Sequence, residues 1–284
     1  MKSKKYIILP YIVWSLMFTI IPLVLILYFA FNNGYGSFTL NNVLKSFIYF
    51  KVFVRSIYLG IISTVICFVI AYPSAYFMSK CSKKCQNVLK ILIMLPMWVN
   101  ILLRTYAWLT ILEYNGIFNK ILLFFNFPKI NLINTDISII LGMVYNFLPY
   151  MMLPLHASIS RINKKIFEAA RDLGASKRKI FLRILLPLSV PGIISSITIV
   201  FVPSVSTFVI SSILGGSKNI LIGDLIEMQF LGNAYNPYFG SALSLVLMFL
   251  VFIFTFIINS LESKSKDSVA LAVLKTDKRN KNDL

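Results

Sequence analysis

Residues 6–31 read YIILPYIVWSLMFTIIPLVLILYFAF, an apolar run without a single charged side chain. A helix of about 20 such residues crosses the hydrocarbon core of a bilayer, and this run exceeds that length. Five further stretches of the 284-residue chain read the same way, at about 57–78, 88–112, 137–155, 192–214 and 239–258. The third is impure, with Lys90 near one end, Asn100 in the middle and Arg104 beyond it. The fourth carries Pro149 and Pro154, which predict a kink or an early end. A shorter run, Ile121–Phe125, is too short to span and reads as an interfacial or re-entrant helix. Composition agrees: 58% of residues are hydrophobic and 13% charged, against about 45–50% and 25% in soluble domains. Those proportions exclude a soluble enzyme and a disordered chain. The predicted fold is an all-α polytopic membrane protein with six transmembrane helices in a single domain.

Charge sets the orientation. Lys2, Lys4 and Lys5 precede the first span, which is too long for the apolar core of a signal peptide and reads as a retained helix. With both termini inside, 21 of the 28 Lys and Arg residues fall on the inner side and six on the outer, Arg104 lying within a span. This asymmetry predicts cytoplasmic termini and a polar cytoplasmic tail over 261–284. The net charge of +18 is then a topology signal and not a nucleic-acid footprint. One histidine, His156, and three cysteines supply neither a metal site nor a disulfide framework, and Cys81 and Cys85 read as free thiols.

The inner loop at 161–191, between spans four and five, is the most informative. From Ser160 it reads SRINKKIFEAARDLGASKRKIFLRILLPLSVPG, ending at Gly192. Asn163 is suited to cap a helix whose Ile166, Phe167, Ala170 and Leu173 form one stripe, opposite Lys164, Lys165, Glu168, Arg171 and Asp172. Gly174 stands where a helix ends most easily in a left-handed residue. Ser176 opens a second helix, basic in its first turn, which is predicted to end at Pro187. Pattern alone leaves two readings: an amphipathic hairpin lying on anionic lipid, or a docking element whose Phe167 and Leu173 lack partners within the chain.

The residues resemble the EAA loop of ATP-binding-cassette importer permeases, in which Glu-Ala-Ala is followed after three residues by Gly and, nine residues on, by Ile-x-Leu-Pro. Here Glu168, Ala169 and Ala170 precede Gly174, and Ile184 to Pro187 completes the pattern. Residues 102–119 (LLRTYAWLTILEYNGIFN), the PLSVPGI run and Ile213-Leu214-Gly215-Gly216 are similar to the spermidine/putrescine permeases, closest to the first permease subunit. Lys218 to Gly223, Gln229 to Leu231 and Gly240 to Ala242 fit as well. That subgroup often carries an acid before Leu-Gly-Gly, where this chain has Ser211 and Ser212. The resemblance implies a type I importer fold in a bacterial plasma membrane. It also implies a separate cytoplasmic ATPase dimer that binds ATP and Mg, a second related permease and an extracytoplasmic substrate-binding protein. Phe167, Glu168, Ala169, Ala170, Leu173, Gly174, Ile184 and Pro187 would then couple the chain to the ATPase.

The chain itself has no G-x-x-x-x-G-K-[ST] phosphate loop, so no catalytic role or bound cofactor is expected of it. A polycation calls for carboxylates and aromatic faces. Candidates near the outer side are Trp98, Tyr106, Trp108, Glu113 and Tyr114, then Asp136, Asp224, Glu227, Tyr235 and Tyr238. The aromatic ones fit equally an interfacial belt. Arg104 is either functional within the membrane or snorkels to the outer interface. Iron, thiamine or another small solute remains an alternative cargo. A lipid-modifying membrane enzyme is disfavoured by the scattered acids.

Overall fold

The computed structural model describes residues 3–216, 219–232 and 234–282, with side chains between 10 and 260. Ser217 and Lys218, and the side chains of the 261–284 tail, lie outside the described residues. Helices account for nearly all the rest: α1 (Ser3–Ala30), α2 (Asn41–Ser46), α3 (Phe50–Lys80), α4 (Lys83–Trp98), α5 (Ile101–Leu112) and α6 (Ile117–Phe124). They continue with α7 (Asp136–Ser160), α8 (Lys164–Asp172), α9 (Lys177–Ile180), α10 (Leu186–Ser206), α11 (Ile222–Phe230) and α12 (Pro237–Asn282). Five stretches are long and apolar enough to cross a membrane, and α4 with α5–α6 makes a sixth only as a pair bent by 88°.

The bundle is organised on α3, α7 and α10. Their shared core holds Leu59, Cys67, Ala71 and Ala75 of α3 against Met143, Met151 and Leu155 of α7 and Val200 of α10. In lipid, helices gain little from apolar burial against one another, so close backbone approach carries the association. Gly192 shows it: a Cβ there would overlap the Ser158 side chain, so only glycine lets α10 cross α7 at this depth. Serines and threonines inside the spans return their hydroxyls to the carbonyl four residues back, as Thr64 does to Gly60 (2.7 Å) and Ser204 to Val200 (2.7 Å). A second core gathers Phe53, Phe201, Val205, Ile222, Leu243 and Leu247 around α12. Helix α1 packs chiefly along α12, and none of the 18-residue window that marks it as a span is buried.

Three expectations are corrected. Of the two outcomes expected at Pro149 and Pro154, a kink or an early end, the early end does not occur: helix α7 continues through both to Ser160, because neighbouring helices and polar groups can accommodate prolines inside a membrane bundle. The third apolar run, expected as a span over 88–112, is not one continuous helix. Val99 and Asn100 are extended, and the Asn100 side chain accepts from the Leu102 N–H at 2.8 Å, starting α5 in a new direction. The second helix of the 161–191 loop does not end at Pro187. A π-type turn at Phe181–Leu185 precedes that proline, and the helical backbone passes through the turn and on through Pro187 into α10. The apolar helix therefore runs over Lys177–Ser206 as one piece.

Candidate functional site

Two ends of the bundle carry the polar and exposed apolar residues that the sequence singles out. At one end α8 lies across the ends of α3, α7 and α10. Its start is local chemistry: the Asn163 side chain accepts from the Lys165 N–H at 3.0 Å. Its end is a Schellman motif, with the Ala175 N–H donating to the Ala170 carbonyl (2.9 Å) and the Gly174 N–H to Arg171 (2.8 Å). Gly174 has φ +75°, and a Cβ there would meet nothing within 4 Å, so the backbone angle alone asks for glycine. Ser176 then accepts from the Lys179 N–H at 3.4 Å and starts α9.

The stripe on α8 divides between two environments. Phe167 is half-buried against the main core and helps line a cavity of about 310 Å³ with Tyr76, Ile159, Ile162 and Leu185. The expectation that Phe167 lacks an internal partner is therefore overturned. Leu173 is 87% exposed and Ile166 43%, so these two are the free apolar surface of the helix. Glu168 and Ala169 are exposed, and Ala170, Ile184 and Pro187 half-buried. The floor beneath is tied to α3. Phe181 packs edge-on to Tyr72 (5.8 Å) and Tyr76 (6.3 Å), and Tyr72 shares a 2.9 Å hydrogen bond with Ser189. Lys80 lies 3.9 Å from the centre of the Tyr76 ring.

At the opposite end the sequence candidates scatter. Trp98 is 74% exposed at the end of α4, and Tyr106 is exposed on α5. Trp108 is half-buried and packs edge-on to Tyr145, 5.3 Å between ring centres. Glu113, the residue after α5, is exposed, and its backbone carbonyl accepts from Asn119 (3.3 Å). Tyr114 has Lys129 over its ring at 4.7 Å. Tyr238 packs on Phe29, and Tyr235 is exposed. Arg104 is 8% exposed, on the face of α5 turned into the chain, with its Nε and Nη1 buried.

Asp224 and Glu227 do come together, on α11 between the last two spans. Asp224 is 3% exposed and accepts from the Leu221 N–H (2.7 Å) and the Ser211 hydroxyl (2.8 Å). Burial pushes its carboxyl up to about 6, with the nearby Glu227 adding to the rise and the two hydrogen bonds opposing it. Thus Ser211, one of the two serines ahead of Leu214-Gly215-Gly216, binds an acid supplied by another helix. Sequence reading also leaves Arg55 as one charge among many. It bridges Asp136 at the start of α7 and Asn219, which follows a second π-type turn at Ser211–Gly215, while the Asn219 amide donates to the Asn134 carbonyl at 2.6 Å. These partners lie 81 and 164 residues from Arg55 in sequence, a separation that no local pattern reveals.

Comparison with known proteins agrees with this architecture. The family described as "Binding-protein-dependent transport system inner membrane component" matches residues 68–265. The spermidine/putrescine transport system permease protein PotB of Escherichia coli K12 is 37% identical over 244 residues, covering 82% of this chain and 88% of that protein. The protein of the same name from Haemophilus influenzae is 37% identical over 254 residues, with 86% and 88% covered. Among solved structures, a bacterial ABC transporter involved in import of the acidic polysaccharide alginate aligns with a TM-score of 0.74 at 18% identity, covering 92% of this chain and 95% of that one. At that identity the likeness concerns the fold alone. The 161–191 loop, with its EAA helix and glycine end, lies inside the matched region, and the chain belongs to the family of binding-protein-dependent transport system inner membrane components.

Proposed function

We propose that this multi-pass protein of the bacterial inner membrane is a permease subunit of an ATP-driven importer of polyamines. The observation that carries the coupling half of this reading is α8, whose Phe167 is seated in the bundle while Leu173 is 87% exposed. An amphipathic helix anchored by one apolar residue and offering another suits a groove on a second protein. That partner is a cytoplasmic ATPase dimer, which binds ATP and Mg. The loop contacts it through Glu168, Ala169 and Leu173, with Gly174 setting the turn and Ala170, Ile184 and Pro187 carrying motion into the bundle. The strongly basic 161–183 segment supports a cytoplasmic location for this end and for both termini. A second, related permease completes the pathway, and an extracytoplasmic binding protein delivers the solute. The relatives named for spermidine and putrescine, at 37% identity over most of the chain, support the polyamine assignment.

Candidate contacts to the solute are the exposed Glu113, Trp98 and Tyr106, the half-buried Glu227 and Trp108, and the buried Asp224. The test is uptake of labelled spermidine and putrescine by proteoliposomes holding this chain with its ATPase, second permease and binding protein. ATP-dependent uptake of either amine is expected. An assembled, ATP-hydrolysing complex that accumulates neither would overturn the polyamine reading.

A further inference from the structure

Buried polar atoms in folded proteins find hydrogen-bond partners, so those that do not ask for an explanation. Among the described residues, four buried side-chain atoms have none, and two of the residues that carry them stand on helices that pack together, α5 and α7. Arg104 on α5 leaves Nε and Nη1 unpartnered, and Asn146 on α7 leaves Oδ1 unpartnered. Their chemistry is complementary: a guanidinium carries only donors, and the amide oxygen of Asn146 is an acceptor. The Asn146 amide group is already used, donating to the Gly142 carbonyl at 2.8 Å, which leaves its oxygen as the free atom. Arg104 and Trp108 stand four residues apart and share a face of α5. Trp108 packs on Tyr145, the residue next to Asn146, with ring centres 5.3 Å apart.

The segment that carries Arg104 is set apart by a joint. The 88° bend after Trp98 separates α5 from α4, and two extended residues, Val99 and Asn100, form the joint. Beyond α6, α5 packs chiefly on α7 and on the outer π-type turn at Ser211–Gly215. Two guanidinium nitrogens buried without partners, Nε and Nη1, are costly to hold in a membrane bundle. That cost biases the joint toward any arrangement in which the charge is met.

We infer that Arg104 and Asn146 are the two halves of a hydrogen bond made in another state of the transport cycle. Arg104 is then a positioning residue: closing the bond draws α5, and Trp108 with it, along α7. This rests on the permease reading, since it needs a cycle with at least two states.

The experiment uses the complete complex and compares Arg104→Gln, Asn146→Leu and the double variant at matched membrane abundance. Each single change is expected to reduce uptake about tenfold, and the double variant to be no worse than the poorer single. Losses that multiply, or a single variant with unchanged uptake, overturn the inference. Asn146→Asp keeps the native shape and the acceptor, and strengthens the contact by pairing charge with charge. It is expected to lower uptake about fivefold by holding the bonded state while raising the thermal stability of the assembled complex. Lower stability, as an unpaired buried acid would give, overturns the inference even where the other variants fail to assemble. If the wild-type complex carries another solute, the polyamine assignment fails alone, and the same variants read through that solute.

Discussion

The two ends of the bundle hold their shape by different means. The end that carries α8 is held by backbone geometry and apolar seating: the Asn163 and Ser176 caps, the left-handed Gly174 and the seated Phe167. The opposite end is held by side chains that are distant in sequence, with Arg55 bridging Asp136 and Asn219, and Asp224 joining Ser211 to Leu221. Backbone geometry is indifferent to salt and pH and is broken only by substitution. A network of ionisable side chains responds to both. The first arrangement suits a surface that must fit one partner, and the second a region whose stability varies with conditions.

The sharpest way to break this contrast is Gly174→Val. A β-branched residue at φ +75° costs on the order of 1–3 kcal/mol, and no neighbour crowds the site to confuse the reading. Helix α8 escapes that strain by leaving its seat. The expected outcome is near-normal membrane abundance with coupled ATP hydrolysis and uptake lost, measured side by side. Full uptake by this variant would show that the turn does not position the loop.

Next in size is a pair of changes on the same helix. Phe167→Ala removes a half-buried anchor and should destabilise the loop end by about 1–3 kcal/mol, which thermal unfolding of the purified complex would register. Leu173→Ser alters an 87% exposed residue, so stability should hold within about 0.5 kcal/mol. Its expected effect is weaker capture of the ATPase subunit in pull-down. Equal effects of the two on stability would erase the division of the stripe.

The opposite end should be sensitive to pH through Asp224. Below the ordinary carboxyl value, 3.8, the acid is protonated whether the chain is folded or not, and burial carries no ionic penalty. From there up to about 6 the unfolded chain ionises while the folded one stays protonated, so stability falls as pH rises and then levels off. Asp224→Asn should flatten that slope in thermal melts between these values. It also loses one of two acceptors, since an amide offers a single oxygen to Ser211 and Leu221. A slope unchanged in the variant would place the titration elsewhere.

The smallest expected effect is at Arg55. Its pair with Asp136 is partly open to solvent, with side chains 32% and 46% exposed. Asp136→Asn should therefore cost about 0.2–1 kcal/mol, and less at high salt. A salt-independent loss of several times that size would mean that the bridge acts as a buried one.

The loop end was largely legible in the sequence because its determinants are local. Asn163, Gly174 and Ser176 act within a few residues of themselves, and composition alone supplied the helical membrane class. The bend after Trp98 had a local sign in Asn100, a good capping residue, but the apolar run around it concealed the break. An end of the helix at Pro149, Pro154 or Pro187 was the wrong inference because a proline's effect depends on what surrounds it, and here helices continue through all three positions. Phe167 and Arg55 were opaque for one reason: their partners lie in other helices, and only the assembled bundle brings them together.

The continuity of Lys177–Ser206 has a mechanical consequence. Thirty residues of helix make a strut about 45 Å long at 1.5 Å per residue, rooted beside the Gly174 turn and ending next to the Ser211–Asp224 bond. A stiff strut needs no relay of rearranging contacts to carry a displacement from one end to the other. Were it to pivot where Gly192 meets Ser158, near its middle, a small lateral push at Ser176 would become an opposite swing at Ser206, as on a seesaw.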